Sequence, residues 1–400
     1  MERRAYEAPL DPALAVSGLL TRLGLFLLVV FAPFVAMFSR RAVAIIVPVA
    51  TALLILAAAL DGRLPSALRQ LSRSLLSYEA LALLLLMAWA AITIFWTPKP
   101  APAAGRLPGL LLVIVVFAVT IACLRDRVRL SDVNLIPIGV AIASIILVME
   151  FVPHSPLSAW VDTGIDDTES LRAAMLLALL IWPAVGSLLA RGRSWQALLL
   201  CLVTILALWL VRNLVVFSAF LVGVIVMMLA LWRPRLTARI VSGITLALLI
   251  LAPILGWLMA RYGGFLLPAE GDQLVSIWRD VTYAIPSHPL GGFGYDSSAW
   301  LTRGAGGQIL ASPRNAALQI WLELGLVGVA ISALALWVMF RGMEQLKDDR
   351  SVPASLAVSA SATIMMFSGL AAWQAWWLMS LGLTSVSLAF VSRLGIRPKG

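Results

Sequence analysis

The sequence predicts an all-α, polytopic membrane protein of about twelve transmembrane helices, with one large loop outside the bilayer. Composition is the first reason. Of 400 residues, 61% are hydrophobic and 12% charged, far from the roughly 45–50% and 25% of a soluble globular chain. The second is the recurrence, from end to end, of apolar runs near the ~20 residues that cross a bilayer. The third is the distribution of lysine and arginine, which alternates between rich and poor connections. The 28 Gly and 21 Pro fit the same class, because membrane helices tolerate both better than soluble helices do.

The elements follow in order. The opening segment MERRAYEAPLDPALAVSG is too polar for the apolar core of a signal peptide, so the first run, Leu19–Phe38, reads as a retained span. Ala42–Leu60 follows Arg40 and Arg41. A connection with Arg63, Arg69 and Arg73 leads to Ser77–Phe95, and then come Leu107–Leu124, Val133–Phe151 and Leu171–Ala190. The second half gives Trp195–Val211, Leu214–Leu231, Ile240–Met259, Ala316–Phe340, Ala354–Ala372 and Trp376–Ser392. Only Trp373–Ala375 separates the last two, so a count of eleven is the alternative. The chain reads as a single membrane domain over residues 1–400, with residues 261–315 inserted as a loop between the ninth and tenth spans.

Orientation follows from the cations. With both termini in the cytoplasm, nineteen Lys and Arg fall on the cytoplasmic side and ten on the other, Arg22 lying within the first span. This places residues 261–315 on the non-cytoplasmic side of the membrane. Two outer connections exceed a simple turn. Pro153–Ser170 carries Asp162, Asp166, Asp167 and Glu169 without Lys or Arg. Arg261–Asn315 holds an amphipathic helical stretch, DQLVSIWRDVTYAI, then HPLGGFGYDSS and a glycine-rich segment. Loops beyond about 12–15 residues are commonly functional or disordered, and Trp278, Tyr283, Phe293, Tyr295 and Trp300 argue against disorder.

The net charge of +10 does not point to nucleic acid, since the cations are dispersed and no basic stripe interleaves with aromatics. Cys123 and Cys201 lie in apolar runs, and His154 and His288 are the only histidines. No disulfide framework, metal site or cofactor is expected from so few ligands. Arg40, Arg41 and Arg106 read as residues that snorkel to the interface. Arg172, Arg212, Arg261, Arg279, Arg303 and Arg314 instead gather on the outer side, against the positive-inside tendency. Guanidinium forks match phosphate oxygens, so these six read as a site for an anionic ligand such as a lipid-linked pyrophosphate, with Arg172, Arg279 and Arg314 expected in reach of one pyrophosphate. His288 is either a loop residue ending a helix before Pro289 or a general base suited to neutral pH. Asp296 and Glu323 are the nearby carboxylates. Glu323 lies inside a span and must face protein or water, either hydrogen-bonding a neighbouring helix or serving the site. Gly291–Gly294 follows no strand and opens no helix, so it reads as a tight turn and not as a nucleotide loop.

Four patches resemble the O-antigen ligase and polymerase superfamily. They are HPLGGFGYDSS (His288–Ser298), RNAALQIWLELGLVG (Arg314–Gly328), LRAAMLLALLIWPAVG (Leu171–Gly186) and SIWRD (Ser276–Asp280). The resemblance implies a polytopic enzyme that transfers a glycan from undecaprenyl pyrophosphate to a lipid A-core or related acceptor hydroxyl, with inversion and without metal, nucleotide or other cofactor. Taken with the reading of the residues above, it makes His288, Arg172, Arg279 and Arg314 the catalytic candidates, and Arg212, Arg261, Arg303, Asn315 and Asp296 the substrate-binding ones. Two positions depart from the family pattern. Arg314 stands where ligases of this kind carry a histidine, the proposed base, and Leu274 stands where they carry an arginine. If transfer occurs, the base is then His288, with Asp296 in reserve. Alternatives are a polymerase of O-antigen or exopolysaccharide, a non-catalytic relative that binds lipid-linked glycans, and a transporter. The last is disfavoured by the lack of an internal repeat and by charges concentrated at one face.

Overall fold

A computed structural model describes residues 12–36, 38, 40–124, 130–151, 167–262, 272–303, 308–309, 312–346 and 351–393. Helices dominate the described chain, and its strands are a two-residue antiparallel ladder in which β1 (Thr302–Arg303) pairs with β2 (Gln308–Ile309). The protein is a multi-pass helical membrane protein. Among the described residues, eight helices are long and apolar enough to cross a bilayer, and a ninth candidate is a pair, α12 (Pro234–Ile250) and α13 (Ala252–Tyr262), bent by 70°. Three other expected spans are shorter apolar helices: α8 (Leu135–Glu150), α10 (Ser194–Leu210) and α16 (Val352–Ser368). At 1.5 Å per residue, helices of this length fall short of the roughly 30 Å hydrocarbon layer, so eight or nine of the twelve expected spans are long enough to cross it.

The first span runs through α1 (Pro12–Phe26), a π-helical turn (Leu27–Phe31) and α2 (Ala32–Ala36). Pro33 explains the widened turn, since proline has no N–H to donate and its ring crowds the carbonyl four residues back. That carbonyl belongs to Val29, and α8 comes close to it at Gly139, where a Cβ would lie 2.3 Å from the oxygen. Next are α3 (Arg40–Leu60), α4 (Leu64–Leu75), α5 (Tyr78–Thr93), α6 (Pro100–Cys123) and a four-residue α7 (Leu130–Val133) that leads into α8.

The central pillar is α9 (Asp167–Leu189). Its membrane-length window is 89% buried, against at most 50% in the other candidate spans. A helix apolar on all sides belongs inside a bundle, and α9 is enclosed by α8, α10, α11 (Leu214–Trp232), α16 and α17 (Ala375–Ser392). Small polar residues join these helices, as in membrane bundles generally. Trp182 donates from Nε1 to Ser361 Oγ at 2.9 Å, and Ser361 donates to the Ala219 carbonyl at 2.9 Å. Hydroxyl pairs Thr51–Thr120, Ser144–Thr204 and Thr245–Thr363 join other helices at 2.7–3.1 Å.

Alternation of the helices sorts their ends onto two faces. Arg393 donates to the carbonyls of Leu124 and Ile121 at the C-terminal end of α6, and Arg191 bonds Asn134 beside the start of α8. These contacts mark one face, which also carries α4. At the other end of α6, Arg106 meets the long connection before α15 (Ala316–Gln345). That connection contains α14 (Asp272–Ala284), the amphipathic helix expected from the sequence, followed by a 3-10 turn at Ile285–Ser287.

Candidate functional site

The connection between α14 and α15 is built into a break in a membrane helix. At Gly325 the backbone of α15 leaves helical geometry, with φ 64° and ψ −164°. A break inside an apolar span strands backbone donors and acceptors away from water, so each must find another partner. The segment Pro289–Gly294 supplies most of them. Phe293 N–H donates to the Leu322 carbonyl and Gly294 N–H to that of Glu323, both at 2.9 Å. In return, Leu326 N–H donates to the Pro289 carbonyl at 2.9 Å and Val327 N–H to that of Leu290 at 3.2 Å. Trp89 Nε1 of α5 takes the Leu324 carbonyl at 3.0 Å. This backbone-to-backbone approach requires glycine. A Cβ on Gly292 (φ 65°) would lie 2.4 Å from the Glu323 oxygen, and one on Gly325 would lie 2.4 Å from that of Leu290. The glycines expected to form a tight turn therefore do more, since they bring the loop into the helix backbone.

Glu323 is fully buried at the centre of this junction. Its Oε2 accepts from the Asp296 N–H at 2.9 Å and from Trp373 Nε1 at 2.7 Å. Its Oε1 accepts from Gln319 Nε2 at 2.9 Å and from the Ser298 N–H at 3.3 Å. A carboxylate inside a span is tolerated when its acceptor capacity is met in this way. Gln319 also accepts the Ala372 N–H at 2.7 Å, so the α16–α17 connection is tied to the same network. Tyr295 is wholly buried between the two. Its backbone is held by Thr93 Oγ1 and Thr97 Oγ1, each at 3.0 Å. Burial, and then the nearby Glu323 and Asp296, push its phenol up, which keeps it neutral.

The two carboxylates differ. Asp296 sits in the left-handed region at φ 61° and is buried, yet both its oxygens meet Arg106 Nη1, at 2.5 and 2.6 Å. Arg106, expected to snorkel, thus pairs across 190 residues of sequence while staying half exposed. Beside it, Lys99 Nζ lies 5.5 Å from the centre of the Trp300 ring.

His288 is an exposed loop residue whose ring meets Phe293 edge-on at 4.4 Å between centroids. Its backbone N–H closes the turn from Ile285 at 3.2 Å. Arg279 is exposed on α14, and the adjacent Trp278 donates to the Pro313 carbonyl at 2.7 Å. Arg314 follows, exposed at φ 46°. Asn315 caps α15: its Oδ1 accepts from Ala317 and Leu318 N–H at 3.0 and 3.1 Å, and its Nδ2 donates to the Phe367 carbonyl at 2.7 Å. Arg261 is exposed in the last turn of α13, and Arg212, at φ 53°, is exposed in the α10–α11 turn. There it borders a groove of about 390 Å³ with Trp209 and Phe217. The backbone of Arg303 is in β1, and its side chain lies outside the described residues, as do residues 263–271 of the connection and most of the acidic Pro153–Ser170 segment.

Arg172 belongs to a different cleft. It bonds Glu169 at 2.5 Å and lies 5.6 Å from the centre of the Trp376 ring, between α3, α9 and α17. What joins this cleft to the α15 junction is the α16–α17 connection. Along it, Phe367 meets Asn315, Ala372 meets Gln319, Trp373 meets Glu323 and Trp376 faces Arg172. Arg172, Arg212, Arg261, Arg279 and Arg314 therefore lie towards one end of the bundle, on separate elements. Among the described residues, no group of three His, Cys, Asp or Glu side chains converges.

No protein-family model matches the chain. Its sequence is similar to that of several rickettsial proteins. One from Rickettsia prowazekii (strain Madrid E), named "Putative polysaccharide ligase", is 23% identical over 312 residues, covering 74% of this chain and 76% of its own length. The like-named protein of Rickettsia typhi is 23% identical over 313 residues, with the same coverage of each. That of Rickettsia felis is 22% identical over 332 residues, covering 78% of this chain and 81% of its own length. The similarity thus spans about three quarters of both partners.

Proposed function

We propose that this chain is a bacterial inner-membrane glycosyltransferase of polysaccharide-ligase type. It moves a glycan from undecaprenyl pyrophosphate to the hydroxyl of a lipid A-core or related acceptor. The observation that carries the reading is the set of arginines towards one end of a multi-pass bundle, with Arg279 and Arg314 flanking the loop fixed into the break of α15 and Arg172 in a cleft linked to it by the α16–α17 connection. The names of the rickettsial relatives support it. On this reading the α15 end faces the periplasm, and both termini lie in the cytoplasm.

Each group then has a role. Arg172, Arg279 and Arg314 offset the charge that develops on the pyrophosphate leaving group, as preorganised cations do in a site poor in water. Arg212 and Arg261 extend the basic surface along the donor, and Arg303 is assigned the same role from the sequence. His288, exposed and without a carboxylate against its ring among the described residues, removes the proton from the acceptor hydroxyl. Asp296, paired with Arg106, and Asn315, spent on capping α15, act by shaping the loop. The bond broken joins the sugar anomeric carbon to the pyrophosphate oxygen. The bond formed joins that carbon to the acceptor oxygen on the opposite face.

A second reading rests on the resemblance, which sets Arg314 where ligases of this kind carry a histidine, and a guanidinium does not give up its proton. The chain would then hold lipid-linked glycans without transferring them. The test is transfer by the purified protein in nanodiscs from a lipid-pyrophosphate glycan, with and without chelator. Arg172→Ala and Arg314→Ala should weaken donor binding, and His288→Ala should slow turnover roughly 10²–10⁴-fold with donor binding kept. Donor binding without turnover in the native chain selects the second reading. Failure to bind donor at all overturns both.

A further inference from the structure

The face opposite the α15 junction carries a helix that neither the loop nor the arginine set uses. Helix α4 joins α3 to α5, two membrane-length helices, through residues 61–63 and 76–77. With connections this short at both ends, α4 must lie at a bilayer surface. Its twelve residues, LPSALRQLSRSL, are strongly two-sided. At 100° per residue, Leu64, Ala67, Leu68, Leu71 and Leu75 fall within one narrow arc, and Arg69 and Arg73 fall on the opposite side. Only part of the apolar arc is used inside the protein. Ala67 is buried in the packing of α4 on α6, whereas Leu68 is 57% exposed and Leu75 42%, with Leu76 just beyond at 74%. The helix entry is fixed: Arg63 bonds Asp61 at 3.0 Å, and Asp61 also accepts from Ser17 Oγ of α1.

We propose that α4 lies in the plane of the membrane interface and binds anionic phospholipid. Leu68, Leu75 and Leu76 enter the acyl boundary, while Arg69 and Arg73 stand among the headgroup phosphates. The geometry matches that of interfacial amphipathic helices, whose apolar face sinks about 5–10 Å below the headgroups and whose cations select acidic lipid. The occupant is a lipid surface and not a protein because covalent linkage to two spans already holds the face at the bilayer. The charge on α4's outer side also complements an anionic headgroup layer. A lipid bound here bears on α4 and, through Ala67, on α6, the helix whose far end carries Lys99 and Arg106.

The full chain would be reconstituted in nanodiscs of phosphatidylcholine alone or with phosphatidylglycerol, and the lipids retained after detergent exchange would be quantified. Wild type should retain phosphatidylglycerol preferentially. Arg69→Ala and Arg73→Ala should each lower that preference about 5-fold at low salt, the value of one juxtamembrane cation, and high salt should erase the difference. In a second measurement, an environment-sensitive probe at Leu68→Cys should be quenched by lipid-borne quencher and one at Ser66→Cys by aqueous iodide. Equal retention in wild type and the double arginine variant would overturn the proposal. So would a Leu68 probe open to iodide, or a change of oligomeric mass on Leu68→Ser, which would assign the face to a second copy. None of these outcomes depends on glycan transfer.

Discussion

Removing the Glu323 side chain tests the reading of the α15 junction most directly. In Glu323→Ala, the Asp296 N–H, the Gln319 amide and the Trp373 indole lose acceptors now at 2.7–2.9 Å, and the Ser298 N–H loses one at 3.3 Å. A buried donor left without a partner costs about 1–3 kcal/mol. Three well-formed bonds lost at a fully buried position therefore correspond to about 3–6 kcal/mol, if water entering the space left satisfies part of the demand. Glu323→Gln is instructive because the side chain keeps its volume. Each carboxylate oxygen accepts from two donors, so whichever way the amide is turned, its NH2 faces two donors. Its cost should still exceed about 2 kcal/mol. The assay is thermal unfolding in nanodiscs, paired with thiol labelling of Ala299→Cys, which is exposed beside the loop's buried core. Both variants should lower the midpoint and change the labelling rate, Glu323→Ala more strongly. A Glu323→Gln protein with wild-type midpoint and labelling would refute the assignment of the carboxylate as the acceptor that fixes the loop.

Three further outcomes follow from the same geometry. Gly292→Ala and Gly325→Ala place a Cβ 2.4 Å from backbone oxygens at positive φ, and each should destabilise by about 2 kcal/mol or more. Gly243→Ala, with open space around it, should be neutral or stabilising by the same unfolding assay. Arg106→Ala leaves Asp296 buried without its cation and should cost more stability than Asp296→Asn, which removes charge and partner demand together; thermal shifts of the two variants check the order. Arg314 occupies a left-handed conformation that favours glycine, so Arg314→Gly should stay within about 1 kcal/mol of wild-type stability while donor binding, measured by equilibrium titration, falls.

The helices were readable because a bilayer demands long uninterrupted apolar runs, and the amphipathic pattern of α14 is equally plain in the residues. Glu323 was readable as a residue that must face protein, since a carboxyl group cannot face lipid cheaply. Its partners were not. Two of the four are backbone N–H groups of the loop and one is the indole of Trp373, 50 residues away. Gly325 looks like any small residue in an apolar run, and nothing local signals that the helix breaks there. Arg106 near a span end has the pattern of an interfacial cation, and only the tertiary fold brings Asp296 to it. Span alternation groups six arginines as an expectation from the sequence, and the structure sets those among the described residues on separate elements. The separation of Arg172 into a cleft with Trp376 depends on how α17 packs, which no local pattern encodes.

The loop woven into α15 has a consequence for movement. Its backbone satisfies carbonyls and N–H groups that would otherwise face hydrocarbon, so lifting Pro289–Gly294 would mean dismantling the helix itself. A segment held this way behaves as a floor and not as a door. Any opening that admits a long lipid-borne substrate must then come from the parts not stitched into the break, with α14 and the short β1–β2 ladder the nearest described ones. Partners also become available in chain order. Both α5 and the glycine segment precede α15 in synthesis, so the groups that complete the break are made before the helix that needs them.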